Sequence, residues 1–119
     1  ADDVRSAALR VFAFFDKKQA LSLIENMFAA VQPKKRAHAI ACAAQFDFPS
    51  VREMLLSSLR REQDPENIAQ YIAIFRSNLD DSLLLSVFEI AENSQGAKQE
   101  SLLGFCREGI KILAAENRT

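Results

Sequence analysis

His38 and Cys42 stand four residues apart, a spacing that sets an imidazole and a thiol on one face of a helix. Two such groups could begin a metal site or a nucleophile–base pair. A zinc site needs three or four ligands, and the neighbouring sequence supplies no others. A Cys–His nucleophile needs an orienting group and an oxyanion hole, and no strand-to-helix elbow or glycine-rich turn is there to build one. The three glycines, Gly96, Gly104 and Gly109, fall in the last quarter without the spacing of a phosphate-cradling loop. The pair therefore reads as a helix histidine beside a small thiol. The chain reads as a non-enzyme, without metal or cofactor.

Charge is the other chemistry on offer. Lys17-Lys18, Lys34-Lys35-Arg36 and Arg60-Arg61 are basic clusters, and Lys34, Lys35 and Arg36 could contact nucleic acid. Against this, fifteen basic and sixteen acidic residues leave a net charge of −1, whereas a phosphate-gripping domain carries a basic excess. Asp2, Asp3, Asp47, Asp64 and Glu66 lie among the same helix ends, so solvated ion pairs explain the clusters better. No apolar run approaches the length of a membrane span. The acidic start, Ala1 to Arg5, does not resemble a signal peptide. Cys42 and Cys106, set in helical patterns far apart, suit reduced thiols in a cytoplasmic compartment.

The elements that must position these groups are helices. Thr occurs once, no Asn-Gly or Asp-Gly turn appears, and no apolar–polar alternation is sustained. Pro33, Pro49 and Pro65 are sixteen residues apart, and extending that metre places helix starts near 1, 17, 33, 49, 65, 81 and 97. Asp16 is a candidate N-cap, Ser50-Val51-Arg52-Glu53 a capping box, and Asp64-Pro65-Glu66 an acidic cap with a first-turn proline. Apolar positions recur with the i, i+3/4, i+7 stripe of amphipathic helices, as in Ala20, Ile24, Met27 and Phe28, or Ile68, Ile72 and Phe75. Ala37 to Ala44 is apolar nearly all round, which predicts a helix buried on every side. Phe12, Phe14 and Phe15 cannot all enter one core from one helix, and Phe14 is the expected exposed one.

Paired blocks give a longer repeat. Shifting residues 5–28 by 31 positions lays Arg5 on Arg36, Ala8 on Ala39, Phe15 on Phe46, Asp16 on Asp47 and Phe28 on Leu59. A third copy follows loosely at a shift of about 32. Val4-Arg5-Ser6-Ala7-Ala8-Leu9, then Asp16, then Ala20-Leu21, resembles the bacterial HEAT-type repeat, with its Val-Arg-x-x-Ala helix, turn aspartate and apolar second helix. The second copy keeps Arg36, Ala39 and Asp47 but has Lys35 in place of the valine.

The resemblance implies an all-α superhelix, a HEAT-like solenoid of about three antiparallel helix pairs plus a C-terminal helix. It spans residues 1–119 as one domain, expected to be a piece of a larger protein. It also implies that the first, third, fifth and seventh blocks line a concave inner face. On that reading the chain is a scaffold that binds another protein by shape and charge, through Arg5, Arg36, Gln70, Arg76 and Arg107. Nucleic-acid binding through Lys34, Lys35 and Arg36 is the alternative. A compact helical signalling bundle is the third reading, for which deletion of residues 1–15 would abolish folding.

Overall fold

The computed structural model describes residues 16–117, and these are all-helical, with no strand among them. The helices are α1 (Lys17–Phe28), α2 (Pro33–Ala43), α3 (Phe48–Arg61), α4 (Pro65–Arg76), α5 (Asp81–Glu92) and α6 (Gly96–Asn117). Each begins within one residue of the sixteen-residue metre. The first block, with Arg5 and the Phe12, Phe14 and Phe15 cluster, lies outside the described residues.

The starts follow from side chains that satisfy orphan N–H groups. Asp16 Oδ1 accepts from the Gln19 N–H at 2.8 Å while Gln19 Oε1 accepts from the Asp16 N–H at 3.2 Å, a reciprocal capping box. Asp64 accepts from the Asn67 N–H (3.0 Å) and Asp80 from the Leu83 N–H (2.7 Å). Pro33 and Pro65 take the first helical position. The capping box expected at Ser50 is not formed. Helix α3 starts three residues earlier than that cap would set, at Phe48, and the Ser50 hydroxyl donates to Asp47 Oδ2 at 2.7 Å. Asp47 is an equally good acceptor, and a start at Phe48 places Pro49 where its missing N–H costs nothing.

The chain divides into two compact units, residues 1–58 and 59–119, with the boundary in the last turn of α3. In the first unit α1 and α2 form an antiparallel hairpin that buries Ala20, Ile24 and Phe28 against Ala39, Ile40 and Ala43. The Lys17 ammonium meets Asp47 Oδ1 at 3.0 Å. Hydrogen bonding by Ser50, then Lys17, holds the Asp47 carboxyl down to about 2. Helix α2 is not buried on every side: Ala37, His38, Ala41 and Cys42 are half-buried and Ala44 is exposed. Its buried positions form one stripe, because alanines admit a close neighbour without requiring one on each face.

In the second unit α5 packs on α6, and α4 packs on α6. Cys106 Sγ lies 3.9 Å from the Leu84 carbonyl and Gln99 Nε2 donates to the Ala91 carbonyl at 3.0 Å, so α5 and α6 run antiparallel. A Cβ added at Gly109 would stand 2.7 Å from Leu84 Cδ2, so any larger residue at this close crossing has to displace the Leu84 side chain. Gly96, at φ +62°, makes the turn into α6 in a backbone region most residues avoid. Tyr71, Phe75 and Phe105 form a chain of tilted rings, each successive pair 6.3 Å apart between centroids, and carry the α4–α6 core.

Candidate interaction face

Helix α4 points Ile68, Tyr71 and Phe75 into the core and leaves Glu66, Ala69, Gln70, Ala73 and Arg76 exposed. Helix α6 buries Leu102, Phe105 and Cys106 and exposes Glu100, Ser101, Arg107, Glu108 and Lys111. The seam between the two helices is fastened directly at one end and through the end of α3 at the other. At one end Arg76 forks onto Glu108, with Nε 2.9 Å from Oε1 and Nη2 3.2 Å from Oε2. Such a bidentate pair fixes the register of two helices better than a single contact does. Both side chains are about half exposed, so its worth is geometric more than energetic.

At the other end lies a buried polar knot. Lys98, only 6% exposed, donates to the Leu59 carbonyl at 2.7 Å and the Arg60 carbonyl at 3.1 Å, closing the C-terminus of α3. Glu62, 2% exposed, accepts from the Gln63 and Asp64 N–H groups (3.2 and 3.1 Å) and from Asn67 Nδ2 (3.2 Å). Burial pulls the Lys98 pKa below its ordinary value, with the Glu62 charge partly opposing it. Lys98 opens α6 beside the residues that lead into α4, and Phe105 and Glu108 meet Phe75 and Arg76 at the far end. Helices α4 and α6 therefore run parallel, with α5 antiparallel to α6. Their shared outward seam carries small side chains, Ala69 and Ala73 on α4 and Ser101 on α6.

Within residues 59–119 the residues chosen from sequence are not gathered on one helix seam. Arg76 lies on the α4–α6 seam, Gln70 is exposed on the α4 flank turned from α6, and Arg107 is exposed on the α6 flank turned from α4. Arg36 is half-buried and donates from Nη1 to the Ala30 and Val31 carbonyls at 2.9 and 2.7 Å, fastening the α1–α2 connection to α2. Lys34 and Lys35 are exposed. Arg5 lies outside the described residues. Sequence reasoning missed Glu108, Glu62 and Lys98. A signal for Glu108 existed: the inter-helix ion pairs Lys17–Asp47, Arg60–Glu89 and Arg76–Glu108 join opposite charges 30, 29 and 32 residues apart, close to one repeat length.

Burial pushes the Cys42 thiol pKa up, away from the thiolate a nucleophile requires. Among the described residues no group of three or more His, Cys, Asp or Glu side chains could hold a metal ion. No described helix is long and apolar enough to cross a membrane. Compared with known protein families, curated proteins and solved structures, the chain matches none.

Proposed function

We propose that the chain is a HEAT-like helical-repeat module that binds another protein on its inner-helix surface and performs no chemistry. The observation that carries this reading is the order within residues 59–119. Two parallel helices, α4 and α6, are bridged by an antiparallel α5, which is the inner–outer–inner order such a repeat requires. The bidentate Arg76–Glu108 pair sets the register of α4 on α6, and a surface whose register is already set loses less freedom on binding. Gln70, Arg76 and Arg107 supply polar contacts at and beside the seam, and Ala69, Ala73 and Ser101 allow a partner to approach closely.

Photo-cross-linking in the cells that make the protein tests this reading. A benzoylphenylalanine at position 73 or 101 should give discrete protein adducts, and one at Glu25, on α1, should not. Absence of protein adducts at both seam positions overturns the proposal. The exposure of Lys34 and Lys35 keeps a nucleic-acid reading in play for the same experiment. Nucleic-acid adducts, with duplex binding that falls steeply as salt is raised, would favour it instead.

A further inference from the structure

Helix α5 exposes more apolar surface than its own packing explains. Leu83, Leu84, Val87, Ile90 and Ala91 are buried, yet Leu85 is 71% exposed and Phe88 44%. At roughly 100° per residue, Asp81, Leu85, Phe88 and Glu92 fall within about 60° of one another around the helix. They form one exposed stripe with spacing 4–3–4, two apolar side chains bracketed by two carboxylates. Glu89 beside the stripe is engaged by Arg60 at 3.3 Å, whereas neither Asp81 nor Glu92 belongs to an ion pair among the described residues.

Helix α6 extends the patch. Phe105 turns toward Phe75 of α4, and Leu103 and Ile110 lie roughly 140–160° around α6 from it, on the flank adjoining the α5 stripe. Ile110 is 61% exposed and Leu103 half-buried. Glu100 and Arg107 balance each other at the margin. The patch sits in the more acidic part of the chain, since residues 59–119 carry ten acidic and seven basic side chains. Scattered single apolar residues are ordinary at a surface, but a contiguous stripe with charged ends is a docking feature.

We infer that this α5–α6 flank binds an amphipathic helix of a partner protein, one whose Lys or Arg residues bracket two apolar residues at the same spacing. The apolar pair packs on Leu85 and Phe88, and each cation reaches Asp81 or Glu92. Apolar contact supplies the affinity, and the bracketing carboxylates supply selection, because an acidic helix would be repelled at both ends. The charge pattern reads alike in both directions, so helix polarity is set by the Leu103–Ile110 side. This surface lies on the other side of α6 from the α4–α6 seam and adjoins it only at Arg107, and the inference does not depend on that reading.

The test uses the full chain and a fluorescein-labelled, alanine-based helical peptide bearing lysine, leucine, phenylalanine and lysine at 4–3–4 spacing. A second peptide carries glutamates in place of the lysines. Fluorescence anisotropy should show saturable binding of the lysine peptide and at least roughly tenfold weaker binding of the glutamate peptide. The variants L85S/F88S and D81N/E92Q should each weaken the lysine peptide roughly tenfold. Their circular dichroism should match the parent, because all four residues are exposed on one side of α5, and melting should fall by only a few degrees, since Phe88 is 44% exposed. Equal binding of the two peptides, or none by either, overturns the proposal. So does a sedimenting dimer that L85S/F88S makes monomeric and the lysine peptide fails to dissociate, since the occupant would then be a second copy.

Discussion

Lys98→Ala removes a buried ammonium that donates to the Leu59 and Arg60 carbonyls at 2.7 and 3.1 Å. The Leu59 carbonyl also accepts from the Glu62 N–H at 3.1 Å, so the main loss falls at Arg60 and at the Glu62 charge. Hydrogen bonds from a charged donor contribute about 1.5–3 kcal/mol each, offset here by the cost of burying the ammonium, which leaves a net loss of about 2–4 kcal/mol. Lys98→Met keeps the apolar stem and removes the buried charge, so its loss should be about half as large. Urea unfolding at neutral pH measures both. The pH dependence has a definite sign. Burial lowers the pKa of Lys98 in the folded state, so the unfolded chain binds the proton more tightly. The penalty for burying the charge is then present below the folded pKa and is relieved as pH rises toward the ordinary lysine value of about 10.4. The parent should gain stability over that window relative to Lys98→Met. A loss below about 0.5 kcal/mol for Lys98→Ala would refute the claim that this amine fastens α6 to the end of α3.

The Asp47 carboxyl, held down to about 2, stabilises the folded state above its ordinary pKa, and that contribution is lost as pH falls toward 2. Asp47→Asn should flatten this acid limb in denaturant titrations taken between pH 5 and 2. Gly109→Val should cost about 1–3 kcal/mol, read as a lowered melting temperature, because its side chain meets Leu84 and Leu79. Phe75→Ala should cost about 3–5 kcal/mol by removing the middle ring of the Tyr71–Phe75–Phe105 chain. A double-mutant cycle on Arg76 and Glu108 should return a coupling of at most about 1 kcal/mol, since both side chains are half exposed.

Helix starts were legible because their determinants are local. Asp16, Asp64 and Asp80 cap the helices that follow them, and Pro33 and Pro65 open theirs, with no information needed from distant residues. Ser50 misled because two good acceptors compete within four residues, and Asp47 prevails by letting Pro49 sit in the first turn. The apolar stripe of α5 was legible in Leu84, Val87, Phe88 and Ala91, but the exposure of Phe88 within it and of Leu85 beside it was not, since periodicity marks a helix face without saying what covers it. Lys98 and Glu62 were invisible for another reason. Their burial is set by backbone groups at the end of α3 that only the folded chain brings within reach. Arg36 matched Arg5 by repeat position, but its hydrogen bonds to the Ala30 and Val31 carbonyls follow from the local turn between α1 and α2, which periodicity does not mark.

Binding of the cross-linked partner, purified and titrated against three forms of the chain, tests the central claim most directly. The parent should bind it, Gln70→Lys/Arg107→Glu should bind at least roughly tenfold more weakly, and Lys34→Glu/Lys35→Glu should bind as the parent does. Loss of binding in the lysine variant with none in the Gln70/Arg107 variant would contradict the account.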